Sequence, residues 1–376
     1  MDKDMKVLMV SDMVMHGGAI HTRFLSEELK KKGVGVDIVS YSNPPEAGIK
    51  TWCIPSLSVP FVFYKICTNK NMFFKLIKES EPSIIHMHYC AGNMELSISK
   101  IKRLKIPVVG TAHISPGGDR LIDKVIAFYF RRFLSRELKV SDKVICVSRY
   151  VEKKLNGIGI YNTVVIPNGV NQDVFFRVDS ARSVLGIPET GFVLLYVGRL
   201  SPEKGVTLLL KAFRRLRIRN KRLYIIGSGP LSNLCRMYSR LDSRVVFVGK
   251  VKNSELRLYY SAADVTVVPS LWSEAFGMVL IESMACGTPP VASCVGAVPE
   301  LVNNGCNGFL VRDISPRGFA KKIEEAETAD LKKIGERCRD FVKKGFTWDE
   351  IARQTLRVYI CLLYTSDAAD EGLGVD

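Results

Sequence analysis

Two series of short apolar segments, each separated by stretches of helical spacing, constrain this chain more than any other feature. The first series predicts strands at residues 6–11, 36–41, 84–89, 107–112, 143–148 and 163–167. The second predicts them at 192–197, 223–226, 245–248, 265–269 and 290–293. Runs of this kind are strands covered on both faces, and strand–helix alternation is the pattern of a parallel α/β sheet. The rhythm pauses after Asn168 and Gly169, through the polar stretch around Gln172, Asp173, Asp179 and Ser180. At 376 residues the chain is longer than one core usually supports, so two doubly wound, Rossmann-like domains follow, joined near residues 170–190. The boundaries read as 1–172 and 173–345. Ligands of such sheets bind beyond the carboxyl ends of the strands, so a cleft between the domains is the expected site.

The segment from Ser270 to Glu282 carries the strongest chemical signal. Gly277 follows the expected strand at 265–269, so the chain turns at a sheet end and opens a helix whose first N–H groups are free to face an anion such as a diphosphate. Glu282 is five residues into that helix, about 7.5 Å along its axis, near the step from a diphosphate to the adjoining ribose. A carboxylate there can accept from two vicinal hydroxyls. Glu274, on the loop before the helix, is placed for hydroxyls on the other side of the diphosphate. That order suits a nucleotide sugar; solvated helix carboxylates are the alternative.

Other candidates sit at the expected strand ends. Gly198, Arg199 and Lys204 follow strand 192–197, where a glycine permits close approach and two cations can neutralise a leaving diphosphate. Ordinary surface cations are the rival reading. Gly227 and Gly229 follow strand 223–226 as a phosphate-side loop or a tight strand-to-helix turn. Gly17 and Gly18, between His16 and His21, precede an amphipathic helix at 22–32 and form either a ligand-closing loop or a simple connection. His86 and His88 share one strand face, without a third ligand at a recognisable zinc spacing, so a structural or cleft-lining role is expected and no metal. His113 ends strand 107–112.

Glu274 and Glu282, with the motifs around them, resemble the retaining family-four glycosyltransferases of the GT-B fold, over about residues 6–360. The resemblance implies a nucleoside-diphosphate sugar donor on the second domain, a sugar or lipid-linked hydroxyl acceptor on the first, and transfer with the anomeric configuration kept. It implies that Arg199 and Lys204 contact the donor phosphates, that Glu274 holds donor-sugar hydroxyls, that Glu282 holds the ribose and that His113 faces the reacting sugar. Gly17, Gly18, Gly198, Gly227, Gly229, Val251, Phe276, Gly277 and Met278 complete the implied donor surface, Val251 at the base. The catalytic set is then His113, Arg199, Lys204 and Glu274, with no metal and no cofactor beyond the donor. Ala297 stands where the family often carries the second of two glycines, and residues 346–360 resemble its final helix, which returns to the first domain. A nucleotide-sugar epimerase of the same fold and a non-catalytic nucleotide-sugar-binding protein are the alternatives.

Composition bounds the partners. The net charge of +16 suits a polyanion, yet no nucleic-acid-binding signature accompanies it, so no nucleic acid is expected. Residues 100–154 hold 14 Lys and Arg against 5 Asp and Glu, and within them residues 119–138 have the spacing of a helix with a basic face. Together with the apolar segment at 54–63, this allows peripheral contact with an anionic membrane, or an ordinary core-facing helix. Ten scattered cysteines without a C-x-x-C pair suggest reduced thiols in a cytoplasmic protein, at most at the inner face of the cytoplasmic membrane. Residues 361–376 resemble translated sequencing-adapter sequence and are read as a non-native tail.

Overall fold

The computed structural model of the protein describes residues 5–11, 17–40, 48–58, 65–89, 97–113, 132 and 134–371. The chain divides into two compact units, Met1–Gly169 with Trp348–Asp376, and Val170–Thr347.

In the first unit β1 (Lys6–Ser11), β2 (Gly35–Ser40) and β3 (Thr51–Cys53) precede a small antiparallel pair, β4 (Ser56–Ser58) and β5 (Lys65–Cys67). β6 (Ile84–Tyr89), β7 (Val108–Ala112), β8 (Lys143–Cys146) and β9 (Thr163–Val165) complete a parallel sheet of order β3-β2-β1-β6-β7-β8-β9. Every residue of β6 and β7 is buried, as strands covered on both faces must be. The strands β3, β4 and β5 escape sequence reading because three residues show no period.

Two helices close one core of this unit. Leu25 and Leu29 from the Gly17–Lys31 helix meet Trp348, Ile351, Ala352, Leu356 and Tyr359 from the Trp348–Glu371 helix over β1, β2 and β6. The spacing of the latter set is one face of a helix. Gly169 makes room for this arrangement, since a Cβ there would lie 2.7 Å from the Trp348 ring.

Several expectations need correction. The first helix begins at Gly17 and ends at Lys31, instead of spanning 22–32, so Gly17 and Gly18 lie in its first turn and not in a loop. Glycine costs little there because the first N–H groups lack intrahelical partners in any case. The last helix does not stop at residue 360: it runs to Glu371, and Leu362 and Leu363 pack against the core. Of the expected basic helix at 119–138, only Arg132 and the stretch from Leu134 fall within the described residues, with Ser135–Val140 helical. The apolar segment 54–63 is described only to residue 58, and His16 lies outside the described residues.

The second unit contains β10 (Phe192–Val197), β11 (Lys221–Ile226), β12 (Val245–Gly249), β13 (Val265–Val268), β14 (Pro290–Ser293) and β15 (Phe309–Val311), all parallel in the order β12-β11-β10-β13-β14-β15. β15 is a further three-residue strand without a sequence signal. Strand order reverses between β1 and β6 in one sheet and between β10 and β13 in the other. A crevice for a ligand opens at the carboxyl ends of such strand pairs.

Candidate functional site

At the reversal point of the second sheet, the loops after β10 and β13 bring the predicted cation and carboxylate together. Lys204 ends a 3-10 turn, Pro202–Lys204, and its Nζ donates to Glu274 Oε1 at 2.6 Å. Gly205 makes this possible: it takes φ +70°, and a Cβ would sit 1.8 Å from the Pro269 carbonyl oxygen. Ser270 Oγ donates to the same Glu274 oxygen at 2.5 Å. Oε1 is thus held twice, and Oε2 has no hydrogen bond among the described residues. Ser270 is buried, and sequence reading gave it no role although it lies four residues before Glu274 in the same motif.

The Glu274 backbone is held as firmly. Gly296, at φ +56°, lies so close that a Cβ would come 2.3 Å from the Glu274 carbonyl oxygen, and Ala297 N–H donates to that oxygen at 2.9 Å. Ala297 is fully buried, so the departure from a second glycine is accommodated by packing. Gly277 caps the Met278–Ala285 helix at φ +106° with no side-chain cap, so the first N–H groups of that helix are not taken by a capping side chain. Met278 is half-buried beside it. Phe276 turns inward and is buried, its ring 6.1 Å from Phe346, so only its backbone is available to a ligand.

Arg199 is exposed just past β10, and its carbonyl accepts from the Tyr196 hydroxyl at 2.8 Å. The space at Gly227 and Gly229 is taken by neighbouring backbone: Cβ atoms there would lie 1.8 Å from the Gly198 carbonyl oxygen and 2.5 Å from that of Leu200. These glycines let two loops pack on each other. Gly227 N–H also donates to the Gly249 carbonyl at 2.8 Å, which ties the β11 loop to the end of β12, with half-buried Val251 two residues beyond.

Glu282 lies in the fifth position of the Met278–Ala285 helix, buried, with Oε2 accepting from the buried Tyr260 hydroxyl at 3.0 Å. Burial pushes its carboxyl up from 4.5 to about 7, with the Tyr260 hydrogen bond acting in the opposite direction. The unfolded carboxyl ionises first, so Glu282 supports the fold fully below pH 4.5 and loses that contribution as pH rises to about 7. Glu282→Gln keeps an acceptor for Tyr260 and removes the charge. The variant is therefore expected to gain unfolding free energy relative to wild type between those pH values, by at most about 3 kcal/mol, with a matching rise in melting temperature and a constant gap above them. Melting curves across the range check this; a gap independent of pH would contradict the buried charge.

In the first unit four histidines gather at the carboxyl ends of β6 and β7 and on the first helix. His86 and His88 stack at 4.4 Å between ring centroids, and His88 Nδ1 meets His113 Nε2 at 3.0 Å. His21, which sequence reading left without a role, lies 4.9 Å from the His113 ring and shares a 2.7 Å hydrogen bond with Asn168 Oδ1. His86 is satisfied on both sides, by the Tyr359 hydroxyl at 2.5 Å and Thr111 Oγ1 at 2.6 Å, which makes it structural. Burial lowers His21 to about 4 and His86 to about 3, and lowers His88 and His113 as well, so the cluster is neutral at pH 7. His88 Nε2 is buried without a hydrogen-bond partner among the described residues. His113 is partly exposed beside it. No group of three His, Cys, Asp or Glu among the described residues is placed to hold a metal ion.

Comparisons with known proteins agree with this architecture. Residues 178–348 match the family described as Glycosyl transferases group 1, and residues 15–174 match Glycosyltransferase Family 4. An uncharacterized glycosyltransferase of Methanocaldococcus jannaschii is 30% identical, over 94% of this chain and 98% of its own length. Sucrose-phosphate synthase of Thermosynechococcus elongatus superposes with a TM-score of 0.78 at 26% identity, covering 96% of this chain and all of that one (100%). The Anabaena protein HepE, solved in complex with UDP-glucose, superposes with a TM-score of 0.74 at 20% identity, covering 94% and 99%. The chain belongs to the group 1, family-four glycosyltransferases, has their GT-B fold and is a glycosyltransferase.

Proposed function

We propose that this glycosyltransferase moves a sugar from a nucleoside-diphosphate donor to a hydroxyl acceptor with retention at the anomeric carbon, in the synthesis of a cell-envelope, glycolipid or lipid-linked glycan. The observation that supports it most is the convergence of Lys204, Ser270 and Glu274 at the strand-order reversal of the second sheet, beside the Gly277 helix start. The diphosphate would lie at that helix start, against Arg199 and Lys204 and alongside the Gly198, Gly227 and Gly229 loops. Glu274 Oε2 would accept from donor-sugar hydroxyls, Glu282 from the ribose, and Val251, Phe276 and Met278 would offer backbone near the nucleotide. UDP-glucose in the Anabaena relative is consistent with a donor of this class.

In this reading the bond from the anomeric carbon to the diphosphate breaks, the acceptor oxygen bonds to that carbon on the same face, and the acceptor proton passes to the leaving phosphate oxygen. Charge grows on the diphosphate during this step, and Arg199 and Lys204 would neutralise it. The Lys204–Glu274 pair is part-exposed, 37% and 17%, and is worth at most about 1 kcal/mol, so donor phosphates displace it at little cost. His113, part-exposed and paired through its Nε2 with His88 Nδ1, would offer a neutral hydrogen-bonding group to the reacting sugar and the acceptor.

A thermal-shift screen of nucleoside-diphosphate sugars, followed by product analysis with the best donor, tests the proposal. The expected result is selective stabilisation by one donor and acceptor-dependent release of nucleoside diphosphate, with an α-linked donor giving an α-linked product. Conversion of the donor sugar with no acceptor present would mark an epimerase instead, and an inverted linkage would remove the retaining assignment.

A further inference from the structure

The second unit carries a basic surface beyond Arg199 and Lys204. Residues 211–244 contain ten Lys or Arg and one acidic residue, Asp242, a denser excess than at 100–154. Lys221 is buried over the Phe213 ring, and Arg244 is held by Asp242 at 2.7 Å. Arg214, Arg215, Arg217, Arg219, Arg236 and Arg240 are exposed and form no ion pair among the described residues.

Large apolar side chains project among these cations. Leu241 is 76% and Met237 46% exposed. On the Ser232–Leu241 helix, Arg236 and Arg240 are one turn apart, Met237 and Leu241 follow them one turn apart, and Cys235 faces the core. A cavity of about 580 Å³ lined by Arg214, Met237, Leu241 and Arg244 joins this face to the Val206–Arg215 helix. Leu241 and Asp242 lead into the amino end of β12, and Arg217 and Arg219 into that of β11. Arg217, Arg219 and Leu241 thus lie at the opposite ends of the strands from Gly198, Gly227 and Glu274, about 20 Å away for a strand of six residues, whereas Arg236 and Arg240 line a cavity that reaches Gly227 and Gly249.

We infer that this face of the second unit docks on an anionic bilayer, with the arginines over lipid headgroups and Leu241 and Met237 entering the acyl boundary. Exposed apolar side chains set between cations suit an interface with lipid, where they leave water. Against nucleic acid the cations would meet phosphates but the two apolar side chains would gain nothing. The inference goes beyond the proposed transfer reaction and does not depend on it, because docking is read without donor.

Co-sedimentation of the full chain with vesicles of phosphatidylcholine and phosphatidylglycerol tests it, with pure phosphatidylcholine vesicles and duplex DNA as comparisons. Wild type is expected to bind the anionic vesicles and to release with added salt. Each surface cation contributes about fivefold, so Arg214→Glu with Arg217→Glu, both remote from the donor loops, lowers affinity roughly 25-fold or more. Met237→Ser with Leu241→Ser lowers it about tenfold. All four side chains are on the surface, and unchanged circular dichroism and donor thermal shift confirm that each variant remains folded. Absence of wild-type binding at low salt, or binding unchanged in the arginine variant, overturns the inference. Equal or tighter binding to DNA with no effect of the apolar variant overturns it in favour of a nucleic-acid surface.

Discussion

Lys204→Ala is expected to lower turnover roughly a hundred- to a thousandfold while leaving unfolding free energy within about 1 kcal/mol of wild type. The asymmetry follows from where the ammonium sits. Its ion pair to Glu274, at 2.6 Å, is part-exposed and weakly stabilising, whereas under the proposed function the same cation would act on the charge that develops as the diphosphate departs. Steady-state kinetics with the donor found by thermal shift, beside urea unfolding of both proteins, separates the two quantities. A variant that kept full turnover would remove Lys204 from the phosphate site, and one that lost several kcal/mol would make it structural.

Trp348→Ala is expected to destabilise the first unit by about 3–5 kcal/mol. Trp348 is 5% exposed, stacks on Phe24 at 5.7 Å, meets His21 edge-on at 5.0 Å and fills the space that Gly169 leaves open. Its truncation leaves a cavity between the first and last helices, lined by groups on rigid elements that cannot collapse into it. Denaturant unfolding followed by a probe in the first unit measures the loss. A change under about 1 kcal/mol would mean that the last helix contributes little to this core.

Fold and site were legible in the sequence to different depths, for physical reasons. β1, β6, β10 and β14 have the bounds that the sequence predicts, because strands buried on both faces are mostly apolar, and the exceptions in β6, His86 and His88, lie in the histidine cluster. β3, β4, β5 and β15 were not legible, since three-residue strands at sheet margins owe their conformation to neighbours. Glu274, Lys204 and Gly277 stand out as residue types at strand ends, yet the twofold grip on Glu274 Oε1 was hidden. Ser270 is an unremarkable serine until the turn at Gly205 brings Lys204 to the same oxygen. The glycines after β11 illustrate the converse: the sequence signals close approach, and the partner proves to be backbone instead of open space. His86 and His88 were paired correctly by strand alternation, while His21 and Asn168 join the cluster through contacts 147 residues apart that no local pattern reports. Sequence reading passes over the basic face at 211–244 in favour of the excess at 100–154, and the face acquires meaning only once Lys221 is seen to be buried and Leu241 exposed.

The central claim is that the second unit grips an activated sugar through its diphosphate. Isothermal titration of the intact protein with a panel of nucleoside-diphosphate sugars, repeated with Arg199→Ala and Lys204→Ala, tests it most directly. The account predicts saturable binding of at least one donor by wild type and about tenfold or greater weakening in each variant, the loss of one charge-assisted phosphate contact. No binding of any donor, or binding equally tight in both variants, would contradict it.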